Sequence, residues 1–292
     1  MKSIIVLFSL LCFFGCVSPD VKFKSISEDV SASGRNRDMA RIAKISDSIK
    51  PSQLSRERMG TYSDAAVEGL FEALWKISGY LPDNENYALK ARSVFYEKLR
   101  RNKYSEENLD RVFTVLVNAG LFDEAMKFAE EFPSHPQPTL PQISVNGDPA
   151  ATGWWIYRIS GQGARATLER LPQKGAKIVM FMHPECKFAT IAAKTLLADD
   201  TLGPIFRSSG FMLTRTFDSE GVKSAKESLN YDAVYIARKN TDFPGFSMLG
   251  ISPTFYFVKD GGILYKSVGW SSDDAGEFSK EEFKKGLAAI GI

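Results

Sequence analysis

The chain has 292 residues, 44% apolar and 25% charged, which is ordinary globular composition with material for about two domains. With 37 basic against 35 acidic side chains the formal net charge is only +2, which argues against a nucleic-acid binder. Two histidines and three cysteines, with no Cys/His cluster, exclude a histidine-based metal site, and neither a metal nor a cofactor is expected.

Residues 1–16 have the form of a secretory signal. Lys2 supplies the positive start and Ile4 to Phe14 the apolar run, too short for the roughly 20 residues that span a bilayer. The segment ends Phe13-Phe14-Gly15-Cys16. Gly15-Cys16 resembles a bacterial lipobox, although Phe13 and Phe14 depart from its usual leucine and small residue. That resemblance implies lipidation of Cys16 and a periplasm-facing membrane lipoprotein of the bacterial cell envelope. Ordinary cleavage giving a secreted or periplasmic soluble protein, or an uncleaved anchor, stays open. Once the segment is removed, Cys186 is the remaining thiol, and no intramolecular disulfide is expected.

Residues 17–38 are rich in Ser, Asp, Lys and Arg and predict a flexible tether. An all-α domain of helical hairpins is expected over 39–132. Met39, Ile42, Ile45 and Ile49 recur at helical spacing before Pro51. Thr61 or Ser63 can cap a second helix, Asn84 or Asn86 a third, and Ser105 with Glu107 and Asn108 opens a fourth, which Gly120 ends. The stretch 119–133, AGLFDEAMKFAEEFP, resembles the second half of a tetratricopeptide repeat, with Gly120 at the turn and Phe122, Ala125 and Pro133 at its aromatic, small and terminal positions. A bundle with one repeat-like hairpin is the preferred reading, and either offers an apolar groove for a partner. Residues 133–149 carry five prolines and predict a stiff linker between domains, with His135 solvated within it.

The domain expected over 150–292 centres on residues 176–197. An apolar strand, Ile178 to Met182, breaks at His183-Pro184-Glu185. Cys186 then opens a helical stretch. Unpaired N–H groups and the positive end of the macrodipole stabilise a thiolate there, which makes it a nucleophile. A buried, inert thiol is the alternative. Around this element, 154–160 reads as a strand with both sheet faces carrying a tryptophan, one in the core and one on the surface. Leu168 to Leu171 reads as a short turn, 211–217 as a strand, 222–229 as a helix and 233–237 as a strand. Thr254 to Val258 and Ile263 to Val268 read as a hairpin turned by Asp260-Gly261, and 278–290 as an amphipathic helix with Phe283, Leu287 and Ile290 on one face.

FMHPECKFA, 181–189, and GISPTFYFVKDGG, 250–262, together resemble the strand-turn-CxxC and cis-proline segments of the thioredoxin superfamily. The long spacing between Cys186 and Pro253 is similar to its membrane-tethered, TlpA-like members. The resemblance implies an α/β thioredoxin-like domain, a central mixed sheet flanked by helices, preceded by the helical domain. It also implies thiol–disulfide exchange. Cys186 would be the nucleophile, Lys187 an electrostatic aid, and Ser252 with a cis Pro253 the platform for a substrate strand. His183 would either assist proton transfer or face solvent as a turn residue. One departure is chemical: the second cysteine of the motif is Ala189, so the resolving thiol is missing and a mixed disulfide waits for an outside thiol. Glu185 replaces the usual aromatic residue and opposes Lys187. Expected partners are therefore protein thiols and disulfides, or an envelope protein complex, with the membrane reached through the lipid anchor. The competing expectation is a redox-inactive thioredoxin-fold scaffold of an envelope, secretion or conjugation assembly. A peroxidase is disfavoured because Pro184 lies only two residues before Cys186.

Overall fold

A computed structural model describes residues 18–246, 251–271 and 277–292. Cys12 and Cys16 lie outside these residues. The chain divides into two compact units, one comprising residues up to Ile77 with Lys90–Tyr104, the other Ser78–Leu89 with Ser105–Ile292.

The first unit holds α1 (Pro19–Arg35), α2 (Met39–Ser48), α3 (Arg56–Gly60) and most of α4 (Asp64–Tyr80) and α5 (Glu85–Arg100). Helix α1 corrects the tether expected at 17–38. Ser18 caps it through the N–H of Val21, Pro19 occupies its first position, and Phe23, Ile26 and Val30 form a buried stripe. Gly69 of α4 lets the backbone of Phe23 approach closely, since a Cβ there would meet Lys24 N at 3.3 Å. The Phe23 ring stands edge-on to Tyr62, with centroids 5.5 Å apart. The low mean hydropathy of 17–38 hid three apolar residues that suffice for one buried face.

A charged network closes this unit. The buried carboxylate of Glu97 accepts from Arg100 (2.6 and 2.9 Å) and from Arg101 (2.6 Å). Arg101 also donates to the carbonyls of Met59 (2.7 Å) and Tyr62 (2.9 Å), satisfying groups at and beyond the end of α3.

The second unit is built on an eight-stranded mixed sheet. Its strands are β1 (Gln142–Val145), β2 (Trp154–Ser160), β3 (Arg165–Leu171), β4 (Ala176–Phe181), β5 (Gly210–Thr214), β6 (Val234–Ala237), β7 (Thr254–Lys259) and β8 (Gly262–Val268), in the order β1-β3-β2-β6-β5-β4-β7-β8. Strands β6, β5 and β4 run parallel, β7 and β8 follow antiparallel, and the β2–β3 hairpin pairs antiparallel with β6 through β2. Helices α8 (Lys187–Ala198), α9 (Leu202–Ser209), α10 (Ser219–Leu229) and α11 (Glu277–Ile290) complete the α/β arrangement. Phe283, Leu287 and Ile290 are all buried, as their spacing predicts, and α11 sits so close to β7 that a Cβ on Gly286 would meet the Phe257 ring at 2.3 Å. Asp260 and Gly261 both have positive φ, the conformation a tight hairpin turn requires, as Asp-Gly predicts.

Three further expectations are corrected, and one helix, over 202–209, was not foreseen. Residues 165–171 form a strand, not a turn; Ala166 and Leu168 point into the core, while Glu169 pairs with Arg158 of β2 (2.7 Å). Trp154 and Trp155 are both 1% exposed, packing into separate core clusters, so neither is a surface residue. Residues 202–209 form α9 despite Gly203 and Pro204. Pro204 lies in its first turn, where a helix leaves N–H groups unpaired in any case. The boundary expected at 133–149 is no boundary: Gln142–Val145 is a parallel edge strand of the sheet, and His135 hydrogen-bonds Asp110 at 2.8 Å.

Helices α6 (Glu106–Asn118) and α7 (Phe122–Glu131) also belong to this second unit. Ser105 and Asn108 cap α6 reciprocally. At its other end Gly120 N–H donates to Val117 O (3.0 Å) and Leu121 N–H to Leu116 O (2.9 Å), the paired bonds of a glycine-terminated helix. The turn is that of the repeat-like reading, but Phe122 packs on the sheet domain, 5.7 Å from the Tyr157 ring and 4.7 Å from Phe217. Asn118 accepts from Phe217 N–H at 3.0 Å. This aromatic side chain is thus consumed internally.

Candidate functional site

The site follows from the pairing of β4 with β7. These strands are antiparallel, and Phe181 lies opposite Thr254. Residues just past the end of β4 therefore face residues just before the start of β7, which brings 183–186 against 251–253 across more than sixty residues of sequence.

On the first side, Met182 N–H still pairs with Leu213 O (2.9 Å), and the chain then turns, with Cys186 N–H donating to His183 O at 2.9 Å. Cys186 is the residue that precedes α8, in extended conformation. Its carbonyl accepts the N–H of Thr190 (3.0 Å) and the Thr190 hydroxyl (3.2 Å). Its side chain makes no capping bond and is left for another partner.

That partner lies on the second side. The Ser252–Pro253 peptide bond is cis. Cys186 Sγ–H donates to the carbonyl of Ser252 at 3.5 Å, and the N–H of His183 donates to the Ser252 hydroxyl at 3.0 Å. The neighbouring carbonyls are held by groups of other kinds: Ile251 O by the Thr254 hydroxyl, Pro253 O by the N–H of Gly269 at 2.8 Å.

Three sequence-predicted residues, Cys186, Ser252 and Pro253, thus come together. His183 is exposed; its Nδ1 accepts the N–H of Glu185 at 3.4 Å, so the neutral ring carries its proton on Nε2. Lys187 is exposed and has no hydrogen-bond or ion-pair partner among the described residues, nor has the Glu185 carboxylate. Cys186 is half-buried and not disulfide-bonded. Ala189 is fully buried in the core cluster that also contains Met182, Ala192 and Ala193.

Two features escaped the sequence reading. Phe188 and Ile251, one on each segment, are large apolar side chains 56% and 45% exposed; Phe188 follows Cys186 by two residues and Ile251 immediately precedes Ser252. Phe188 lies within helical periodicity, so nothing in its spacing marked it as exposed. The second is the Ser252 hydroxyl, which ties the two segments together. A cleft of about 560 Å³ adjoins the turn, lined by Pro184, Glu185, Thr190 and Lys194 on one wall and by Asp218 and Ser224 on the other. Among the described residues no cluster of three or more His, Cys, Asp or Glu side chains could hold a metal ion, and no helix is long and apolar enough to cross a membrane. Compared with known proteins, the chain matches no family model and no curated sequence.

Proposed function

We propose that this protein is a membrane-tethered, extracytoplasmic thioredoxin-like protein that exchanges or captures client disulfides through Cys186. The observation that carries the reading is the 3.5 Å contact between Cys186 Sγ and the carbonyl of Ser252, the residue before the cis Pro253. It sets a half-buried thiol at a helix start against a stretch of backbone held in fixed conformation.

The chemistry balances without a second protein thiol. The Cys186 thiolate attacks one sulfur of a client disulfide; a Cys186–client disulfide forms and the client's other sulfur leaves as thiolate. With alanine at position 189, the mixed disulfide persists until an external thiol attacks it. Capture or isomerisation is therefore favoured over rapid dithiol turnover. The exposed Phe188 and Ile251 offer apolar contact to a client chain. Lys187 would support the thiolate electrostatically, and Ser252 with Pro253 would receive the client backbone. Cys16 would carry the lipid anchor.

The absent second thiol, with Ala189 fully buried in its place, also favours a second reading: a redox-inactive scaffold of an envelope assembly that kept the fold. Cys186→Ser separates the two. Trapping of mixed disulfides from envelope extracts, lost in Cys186→Ser together with function, supports exchange. Full function of the serine variant supports the scaffold.

A further inference from the structure

We propose that the reduced Cys186 thiol is a latch on the Ser252 carbonyl, which it covers at rest and releases when its sulfur enters the exchange reaction. This rests on the thiol-exchange reading above and adds a regulation of the same site.

The argument is a count of donors. Three consecutive carbonyls line this edge, and each is occupied: Ile251 O by the Thr254 hydroxyl, Ser252 O by Cys186 Sγ–H, Pro253 O by Gly269 N–H. Of the three donors, the thiol alone takes part in the proposed chemistry. A thiolate has no proton to donate, and its charge faces the negative end of the carbonyl dipole. A disulfide sulfur has no proton either. Both states used in exchange therefore unmask Ser252 O, and only the resting thiol covers it.

The segment holds its place when this happens. Its other attachments, His183 N–H to Ser252 Oγ and the two neighbouring carbonyl bonds, do not involve the sulfur. A part-buried carbonyl that loses its donor takes another, and the backbone N–H of a client chain can supply it in place of water. The carbonyl becomes available in the same step that makes the sulfur reactive. Once an external thiol has freed the Cys186 sulfur and it is protonated, Sγ–H competes for the carbonyl with any client N–H still bound there, which weakens the non-covalent hold that remains. The preference is about threefold in affinity, the order of one weak neutral hydrogen bond.

The test is the carbonyl resonance of Ser252 in the full chain, labelled with carbonyl-13C serine and 15N proline. Only Ser18–Pro19 and Ser252–Pro253 are Ser-Pro pairs, so two coupled signals are expected. Spectra are compared for the reduced protein, for Cys186→Ala, and for the protein treated with methyl methanethiosulfonate, which converts Sγ–H to Sγ–S–CH3. The latch predicts that one signal moves upfield in both the alanine variant and the methylthio adduct while the other stays. Coincident spectra for the reduced protein and the alanine variant would overturn it. If the folded protein refuses the reagent, the thiol-exchange reading fails instead, and the alanine variant still decides whether the thiol holds the carbonyl.

Discussion

The backbone N–H of His183 donates to the hydroxyl of Ser252 at 3.0 Å, joining the turn that carries the thiol to the segment that ends in the cis proline. Ser252→Ala removes that acceptor and is expected to cost about 1 kcal/mol, the net worth of one such bond. Ser252→Thr keeps the hydroxyl and should restore most of it. Denaturant unfolding of both variants, with amide hydrogen exchange at His183, measures this. Equal exchange in wild type and Ser252→Ala would show that the bond does not hold in solution.

Arg215 performs a similar service for the helical tip in the second unit. Its guanidinium donates to Gly79 O (2.9 Å) and Tyr80 O (3.5 Å), carbonyls at the end of α4 that have no helical partner. Burial pushes its pKa down to about 10, with Asp83 opposing the fall, so it stays cationic at neutral pH. Arg215→Leu strips both carbonyls of their donor and should destabilise the second unit by about 2 kcal/mol. Thermal or urea unfolding reads the loss, and a change below experimental error would refute the capping role.

Glu97 governs acid sensitivity of the first unit. Hydrogen bonds from Arg100, then Arg101, hold its carboxyl below the ordinary value of 4.5, against the opposing effect of burial. A carboxylate with a lowered folded pKa contributes stability that is fully present above its unfolded pKa and is lost as pH falls through the folded one. Stability should therefore drop below about pH 4.5, with protonation of Glu97 among the causes. Glu97→Gln should cost about 3 kcal/mol at pH 7, because the arginines lose their buried counter-charge, and should flatten part of the acid slope. A slope identical to wild type would rule Glu97 out as a contributor.

Phe23→Ala examines the helix found where a tether was expected. Phe23 is 1% exposed, so truncation should cost about 3–5 kcal/mol. An unchanged unfolding midpoint would return 19–35 to the status of a tether.

What the sequence made legible was whatever rests on short-range chemistry. Asp260-Gly261 specified the last hairpin, Ser105 with Asn108 the start of α6, and Gly120 its end, because each motif satisfies its own backbone groups. The strand-turn-helix around Cys186 was legible for the same reason, whereas the cis bond at Pro253 was expected from the family resemblance and not from any local pattern. Long-range burial was not. Leu168 and Leu171, three apart, imitate a helical turn, and their strand became identifiable only through pairing with β2. Phe122 fits a repeat motif by position, yet its ring is spent on Tyr157 and Phe217, residues far along the chain. At the site, Cys186 and Ser252 could be named, but the hydroxyl bond to His183 depends on the β4–β7 register, which no local pattern encodes.

The most direct measurement of the central claim is the rate at which Cys186, in a native chain whose Cys12 and Cys16 are replaced by serine, exchanges with the aromatic disulfide DTNB, compared with the rate in denaturant. The account predicts that the folded protein forms the mixed disulfide at least as fast as the unfolded chain, and that the adduct persists until an external thiol is added. A thiol that reacts only after unfolding would contradict the account and leave the scaffold reading in its place.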